Sequence, residues 1–260
     1  MQSMFSLQGK KAAVTGGGSG IGQAIAMAFA AQGAVVEVLD LTEEGAAETV
    51  ARIREAGGQA EARACDVAKA ESVKQAFAGI EQRHGGLDIL VNNAGIAHIG
   101  DLLSTEEGDM DRLYAVNIKG VFLCAREAVK RMVAQGGGVV LNMCSIAACM
   151  GLADRFAYSM TKGAVETMTY SIAKDFIGKG IRCNCICPAR VHTPFVDGYL
   201  AKNYPGREQE MFEKLSATQP IGRMAQPAEI AAQAVYLCSD EASFVTGTAF
   251  FIDGGAVRLR

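Results

Sequence analysis

Short apolar runs typical of β-strands alternate with longer helical patterns along nearly the whole chain of 260 residues. The strand-like runs are KKAAVTG, AVVEVLD, QAEARACDV, DILVNNAG, GGVVLNMCS, GIRCNCICP and GTAFFIDGG. Helical patterns follow them, the clearest at about 21–32, 105–135 and 158–179. Near-continuous apolar strands that alternate with helices are typical of a parallel sheet whose two faces are both covered.

Right-handed crossovers between such strands give a Rossmann-type, doubly wound α/β sheet. We therefore predict one domain over residues 1–260, with about seven parallel strands and helices on both faces. Ligands of such sheets bind beyond the carboxyl ends of the strands, so functional residues are expected directly after the strands.

Composition excludes several classes of function. The formal net charge is −3 and no long basic run occurs, which argues against a nucleic-acid surface. No apolar run approaches the roughly 18 residues that a membrane span needs. The first residues, MQSMFSLQGKK, lack the layout of a secretory signal. We expect a cytoplasmic protein with no membrane or nucleic-acid partner.

Eight cysteines lie mostly within apolar segments, and those at 183, 185 and 187 alternate as on a strand. Zinc sites usually use cysteine pairs separated by two to four residues, whereas the three histidines here are scattered. We therefore expect buried or half-buried free thiols in a reducing compartment and no metal site.

The stretch TGGGSGIG at 15–22 has five glycines in eight residues and lies between a predicted strand and a predicted helix. A helix N-terminus offers unpaired N–H groups and a partial positive charge to a phosphate, and glycine lets the backbone approach closely. A flexible turn is the simpler alternative. The spacing Gly16, Gly20, Gly22, with Ser19 and Ile21 between them, favours a dinucleotide site when a second signal accompanies it.

That second signal is Asp40, which ends the strand AVVEVLD 18 residues after Gly22 and is followed by Leu41. An acid at this point accepts hydrogen bonds from both adenosine ribose hydroxyls and repels a 2′-phosphate. No Lys or Arg lies within residues 16–22 or directly after Asp40. We predict NAD as the cofactor in preference to NADP.

Three further residues suggest chemistry. Ser145 closes the predicted strand VVLNMCS, Tyr158 comes thirteen residues later, and Lys162 follows four residues after that. Tyrosine and lysine at i and i+4 share one helix face. Such pairs are common on solvated helices, but this one lies downstream of a dinucleotide loop and a strand-ending serine.

The sequence resembles the short-chain dehydrogenase/reductase family. The matching elements are TGGGSGIG, Asp40, CDV at 65–67, NNAG at 92–95, Asn117 in AVNIKG, Ser145, YSMTK at 158–162, CP at 187–188 with TP at 193–194, and FIDGG. They run in order from residue 15 to residue 255, almost the whole chain.

The resemblance implies catalytic roles for four residues. Tyr158 would be the general base in oxidation and the general acid in reduction, helped by the ammonium of Lys162 and the cationic nicotinamide. Lys162 would also hold the nicotinamide ribose. Ser145 would hydrogen-bond the substrate oxygen, and Asn117 would anchor a water that leads protons towards Lys162.

The resemblance also implies a cofactor site. Asp66 and Val67 would flank the adenine, the NNAG residues would line the adenosine side, and Thr193 would contact the nicotinamide carboxamide. The full expected set is Gly16, Ser19, Gly20, Ile21, Gly22, Asp40, Leu41, Asp66, Val67, Asn93, Ala94, Gly95, Tyr158, Lys162, Pro188, Val191 and Thr193. Members of the family are commonly homotetramers, and we expect the same here.

The substrate is the least constrained feature. Residues 191–220 lie where the family keeps a mobile lid, called the lid below. His98, Arg155 and Arg190 are candidate substrate contacts, and arginine suits carboxylates. We favour a small polar secondary alcohol or ketone: a hydroxy acid, a sugar or a sugar acid.

Two alternatives stay open. A 3-oxoacyl-acyl-carrier-protein reductase would use a basic patch, for which Lys130, Arg131 and Lys174 are candidates, although such an enzyme typically uses NADPH, which Asp40 opposes. A non-enzymatic dinucleotide sensor is less favoured, because it would have little use for the four catalytic candidates together.

Overall fold

A computed structural model describes the chain from residue 4 to residue 259. The first three residues and the last residue of the predicted domain, and with them the start of the N-terminal stretch MQSMFSLQGKK, lie outside the described residues. Within them the chain forms seven strands: β1 (Lys11–Thr15), β2 (Val35–Asp40), β3 (Gln59–Ala64), β4 (Ile89–Asn92), β5 (Gly138–Met143), β6 (Ile181–Pro188) and β7 (Ala249–Ile252).

The strands form one parallel sheet in the order β3-β2-β1-β4-β5-β6-β7. The chain first winds outward from β1 to β3 and then crosses back to β4, so the strand order reverses between β1 and β4. This reversal opens a crevice at the carboxyl ends of the central strands. The predicted doubly wound α/β sheet is confirmed.

Nine α-helices among the described residues connect and cover the strands. They are α1 (Gly20–Ala31), α2 (Glu43–Glu55), α3 (Ala70–His84), α4 (Glu107–Leu113), α5 (Val121–Gln135), α6 (Phe156–Phe176), α7 (Pro194–Asn203), α8 (Glu208–Ala217) and α9 (Pro227–Cys238). Local signals set their limits. For example, Thr42 caps the start of α2 by accepting a bond from the N–H of Gly45, and the left-handed Gly136 ends α5.

Two apolar cores lie on opposite faces of the sheet. One packs α1 and α9 against the strands through side chains such as Ile25, Phe29 and Ile230. The other packs α3 and α5 through side chains such as Phe77 and Met132. Because both faces are covered, the strands are apolar on both sides, which explains their continuous apolar sequences.

The helical pattern at 105–135 predicts one long helix. The structure instead has α4 and α5 joined by a π-helical segment, Tyr114–Gly120. Such wide turns often occur at functional sites. The segment contains Asn117, whose side chain forms hydrogen bonds with a neighbouring loop, as described below.

A buried polar chain fixes the central strands to α6. Asn92 donates from Nδ2 to Oδ1 of Asn142 at 2.8 Å, and Asn142 donates to the hydroxyl of Thr169 at 2.9 Å. These bonds lock β4, β5 and α6 in one register. The helix that carries Tyr158 and Lys162 is therefore held at a fixed height above the sheet.

Candidate active site

The glycine loop, TGGGSGIG at 15–22, turns from β1 into α1. Gly16 and Gly20 have positive φ values of 62° and 56°, which only glycine adopts readily. Ser19 is the N-cap residue of α1 but makes no side-chain bond to the first turn. The N-terminal end of α1 therefore offers its positive dipole end to an anion at the switch point of the sheet.

The NNAG segment after β4 supports this loop. The hydroxyl of Thr15 accepts bonds from the N–H groups of Asn93 and Ala94 at 3.0 and 3.1 Å. Asn93 in turn donates from Nδ2 to the carbonyls of Thr15 and Gly16, both at 3.0 Å. A methyl group on Gly22 would overlap the Gly16 carbonyl. These contacts fix the loop before any ligand arrives.

Asp40 lies at the end of β2 and faces the same loop. Its Oδ2 accepts a bond from the N–H of Gly18 at 2.9 Å, and its Oδ1 accepts one from the N–H of Leu41 at 2.8 Å. Leu41 itself is exposed. A negative charge is thus held beside the phosphate-binding turn, on the side reached by the outer end of a dinucleotide.

Asp66 and Val67 follow β3, next along the same edge of the sheet. The Asp66 carboxylate accepts a bond from the N–H of Ala68 at 3.1 Å and pairs with Lys69 at 3.0 Å. Val67 is buried against Gly120 of the π-helical segment, where a Cβ would lie 2.9 Å from Cγ2 of Val67. The loop after β3 is therefore packed against the segment that contains Asn117.

Ser145 lies two residues beyond the end of β5. It begins a short 3₁₀ turn and its Oγ accepts a bond from the N–H of Ala147 at 3.1 Å. The hydroxyl proton is not used in that bond, so Oγ can still donate to a substrate oxygen. The side chain is 9% exposed, at the mouth of a buried region.

Tyr158 and Lys162 lie one turn apart on α6. The Nζ of Lys162 is 5.7 Å from the centre of the Tyr158 ring and donates to the carbonyl oxygen of Met143 at 2.8 Å. Lys162 is 7% exposed. The end of β5 thus positions a buried ammonium next to the phenol, as the i, i+4 spacing predicts.

Asn117 connects this pair to the NNAG segment. It exchanges two bonds with the backbone of Ile96, its Oδ1 accepting and its Nδ2 donating, both at 2.9 Å. The same Nδ2 donates to Thr161 at 3.1 Å. A Cβ on Gly95 would lie 3.3 Å from Asn117 Oδ1 and 3.8 Å from Lys162 Nζ, so the two side chains flank one backbone position.

The lid begins beside the glycine loop. Thr193 starts α7, and a Cβ on Gly20 would lie 3.4 Å from its Cγ2. An isolated β-bridge joins Val191 to Ala225, so the ends of the excursion formed by α7 and α8 are tied together. Pro188 ends β6 just before it. The cleft between the glycine loop and the lid is called the cofactor cleft below.

Arg155 and Arg190, two of the three candidate substrate contacts, lie near one lid residue. A hydrogen bond with Tyr204 raises the pKa of Tyr199, while the positive charges of Arg155 and Arg190 act in the opposite direction. Arg190 also donates from Nε to Thr218 at 3.2 Å. The charges of both arginines therefore act on the phenol of Tyr199 in α7.

His98 points towards α4 rather than towards these arginines. Its Nδ1 lies 3.6 Å from Oδ1 of Asp109, and its Nε2 is buried without a hydrogen-bond partner among the described residues. The loop that carries His98 does reach the start of α6, because Gly100 forms a β-bridge with Arg155. A role for His98 in substrate binding remains a prediction.

The candidate basic patch on α5 is largely neutralised. Lys130 pairs with Glu127 at 2.9 Å, and Arg131 pairs with Glu127 at 3.2 Å and with Glu81 at 3.1 Å. Lys174 lies exposed on α6. Two of the three cations that would attract an acidic carrier protein are thus already engaged with carboxylates.

Thr15 and Thr161 orient the candidate catalytic and cofactor residues, although the sequence pattern does not mark them as site residues. The hydroxyl of Thr161 accepts from Asn117 and donates to the carbonyl of Tyr158 at 2.8 Å. Both threonines lie within motifs that the sequence already marks, TGGGSGIG and YSMTK, so their positions in these motifs could have identified them. The eight cysteines are free thiols, as expected, and Cys149 is the exposed one.

A family model described as enoyl-(acyl carrier protein) reductase matches residues 16–257. The chain is also 40% identical over 251 residues to a D-threitol dehydrogenase of Mycolicibacterium smegmatis. The aligned region covers 96% of this chain and 94% of that protein.

Two solved structures share the fold over nearly all of both chains. The L-sorbose reductase of Gluconobacter frateurii, complexed with NADPH and L-sorbose, has a TM-score of 0.93 and 31% identity and covers 99% of each chain. A gluconate 5-dehydrogenase of Burkholderia cenocepacia, in complex with NADP and tartrate, has a TM-score of 0.89 and 34% identity and covers 97% of this chain and 96% of that one. In residues 4–259, every helix is too short or too polar to cross a lipid bilayer.

Proposed function

We propose that this chain, which belongs to the short-chain dehydrogenase/reductase family, transfers a hydride between NAD and a small polar secondary alcohol or ketone. Membership of the family makes it an oxidoreductase that uses a nicotinamide cofactor on CH–OH substrates. The substrate class is a hydroxy acid, a sugar or a sugar acid. The observation that carries the choice of NAD is the Asp40 carboxylate, which bonds the glycine loop at Gly18.

The cofactor cleft fits a dinucleotide. The left-handed glycines and the uncapped start of α1 suit a pyrophosphate, and Asp40 suits unphosphorylated ribose hydroxyls. Asp66 and Val67 lie further along the same edge for the adenine, and Thr193 lies next to Gly20 where the lid begins. When bound, the nicotinamide accepts the hydride from the substrate carbon in oxidation and supplies it in reduction.

The chain's own residues handle the proton. Tyr158 takes it from the substrate hydroxyl in oxidation and returns it in reduction, and the neighbouring Lys162 ammonium favours the phenolate that results. Ser145 donates a hydrogen bond to the substrate oxygen and so fixes the reacting carbon. Asn117, held by Ile96 and Thr161, anchors the water that leads protons towards Lys162.

The substrate end of the cleft favours a polar, and in particular a carboxylated, molecule. The positive charges of Arg155 and Arg190 both act to lower the pKa of Tyr199 in the lid, and we propose that they also attract a substrate carboxylate. Guanidinium groups bind carboxylates through paired hydrogen bonds. Relatives whose names specify threitol, sorbose or gluconate are consistent with a polyol or sugar-acid substrate. The lid at 191–220 closes over that substrate in this proposal.

The test is a screen of NAD⁺ reduction over hydroxy acids, sugars, sugar acids and polyols, followed by Arg155→Ala and Arg190→Ala. On a carboxylated substrate we expect KM to rise about 10–100-fold, since hydrogen bonds to charged groups contribute roughly 1.5–3 kcal/mol. On an uncharged polyol the change should be small. Arg207→Ala is a matched control, because Arg207 lies in the same excursion but pairs with Glu210. Unchanged kinetics on every carboxylated substrate would remove the carboxylate from the proposal.

Reduction of 3-oxoacyl groups on acyl carrier protein is a second candidate, in line with the description of the matching family model. The pairing of Lys130 and Arg131 with carboxylates and the charge of Asp40 both weigh against it. Titration with acyl carrier protein and NADPH decides between the two.

We further propose a cytoplasmic homotetramer. Exposed apolar side chains on the outer faces of α5 and α6, among them Phe122 and Tyr170, would be covered in such an assembly. Light scattering on the purified protein tests the tetramer.

A further inference from the structure

Three cysteines from neighbouring strands bring their sulfur atoms together beneath the active site. Cys144 follows β5, and Cys185 and Cys187 lie on β6, with all three Sγ atoms within 4.8 Å of one another. Residues two apart on a strand face the same side, and the register that pairs Asn142 with Cys185 brings Cys144 opposite Cys187. The cluster is therefore built into the sheet itself.

The spacing of the sulfurs fits one metal ion. Thiolates bind zinc-like ions at about 2.3 Å, so three sulfurs around one ion in a plane lie roughly 4 Å apart. The three Sγ atoms are already within 4.8 Å, so small rotations of the side chains bring them to that spacing. The movement needed is a few tenths of an ångström for each sulfur, by the same estimate.

The surroundings are apolar and favour a soft ion. The thiols are 4%, 0% and 0% exposed, and the side chains packed around them include Val121, Val165 and Met168. Soft thiolate ligands select thiophilic cations, whereas magnesium and calcium need several oxygen ligands. The cluster offers three sulfur ligands, which favours soft cations over hard ones.

We propose that Cys144, Cys185 and Cys187 form a three-thiolate site for a soft divalent cation of the zinc and cadmium type. Binding replaces the S–H bond of each of the three thiols with a sulfur–metal bond, and the protons leave to solvent. The bound group then carries one net negative charge. Lys162 provides a positive charge at the same strand end, because its Nζ donates at 2.8 Å to the carbonyl of Met143, the residue before Cys144. This proposal does not depend on the enzyme's substrate or choice of dinucleotide.

The position gives the site a consequence for the fold around the active site. Cys144 directly precedes Ser145, and Lys162 Nζ is bonded to the carbonyl of Met143 on the same strand end. A bound ion would therefore tie β5 to β6 directly behind the catalytic serine and lysine.

The test is titration of the reduced full-length protein with Cd²⁺, with ultraviolet thiolate-to-cadmium charge-transfer absorption and native mass spectrometry as readouts. All proteins carry Cys149→Ser, which removes the exposed thiol. We expect one tightly bound Cd²⁺ per chain, displaced competitively by Zn²⁺ and not by Mg²⁺. Cys187→Ala and Cys185→Ala should each weaken Cd²⁺ binding by at least tenfold.

The matched control is Cys183→Ala, which changes another fully buried thiol on β6 outside the cluster and should leave binding unchanged. Thermal melting without metal verifies that each variant is folded. If either Cys187→Ala or Cys185→Ala does not fold, the other variant carries the test. The thiol pair Cys65 and Cys124 is present in every protein, so any signal from it is common to all. Binding that is absent, or that is equal in the Cys149→Ser parent and in its Cys187→Ala and Cys185→Ala variants, overturns the proposal.

Discussion

The carboxylate of Asp40 and the backbone N–H of Gly18 are joined by a hydrogen bond of 2.9 Å, which links the end of β2 to the turn before α1. A Cβ on Gly18 would lie 2.7 Å from the same oxygen, so the approach requires glycine. The protein therefore holds a fixed negative charge beside the site proposed for the adenosine ribose. A 2′-phosphate placed there meets that charge directly.

The first prediction concerns this charge. Asp40→Ser should raise the ratio of kcat/KM for NADP to that for NAD by about 10–100-fold, because two charges a few ångströms apart near a protein surface interact by up to about 4 kcal/mol and salt screens part of this. Steady-state kinetics with both cofactors at low and moderate salt measure the ratio. Asp66→Asn is the control, since it removes an equal charge near the proposed adenine site and should affect both cofactors alike. A wild-type enzyme that already prefers NADP by more than tenfold contradicts the assignment.

The second prediction separates binding from chemistry. Tyr158→Phe should reduce turnover by about 10²–10⁴-fold, the usual contribution of a positioned acid–base group, while NADH binding followed by fluorescence stays within about threefold. Tyr170→Phe makes the same change on the same helix at a hydroxyl that bonds Glu166, and it should stay active. Full turnover in Tyr158→Phe is the result that removes this tyrosine from the mechanism.

The third prediction tests the shape of the glycine loop. In Gly22→Ala the new methyl group would overlap the Gly16 carbonyl and lie 2.5 Å from Nδ2 of Asn93. We expect at least tenfold weaker NADH binding and a lower melting temperature, because overpacking typically costs about 1–3 kcal/mol. Gly108→Ala in α4 meets no atom within 4 Å and should be neutral or slightly stabilising. Equal NADH affinity in the two variants would show that the loop tolerates the displacement.

Much of this arrangement follows from the sequence. The alternation of strands and helices predicts the parallel sheet, and the i, i+4 spacing predicts that Lys162 lies against the Tyr158 ring, as its 5.7 Å distance confirms. These features depend on local periodicity and on the rule that ligands bind after parallel strands. Both are visible in a single sequence.

Other features depend on contacts between distant segments. The π-helical segment contains Asn117, whose amide bonds the backbone of Ile96, whereas helical periodicity alone predicts an uninterrupted helix there. The cysteine cluster also includes Cys144, which directly follows β5. The alternating thiols of β6 give no sign in the sequence that Cys144 lies beside them. Neither partner is encoded in the local pattern, so only the assembled sheet reveals them.

The last prediction concerns pH and the segment that follows the lid. The side chain of Glu229 bonds both terminal nitrogens of Arg223 at 2.7 Å and accepts from the N–H of Gln226 at 2.8 Å, and these bonds lower its pKa from 4.5 to about 2. A carboxyl whose pKa is lower in the folded state stabilises the fold above pH 4.5, and that stabilisation is lost as the pH falls towards 2.

Glu229→Gln keeps the capping oxygen but removes the charge, so it should lower the urea midpoint at neutral pH by a small amount, and the difference from wild type should shrink steadily between pH 4.5 and pH 2. Urea unfolding at several pH values measures both curves. Arg223→Gln removes the partner instead and should lose most, but not all, of the pH-dependent part, because the bond to Arg223 is the largest cause of the lowered pKa and the bond from the N–H of Gln226 remains. If the difference in urea midpoint between variant and wild type is constant from pH 7 to pH 2, the ion pair adds nothing to the stability of the start of α9.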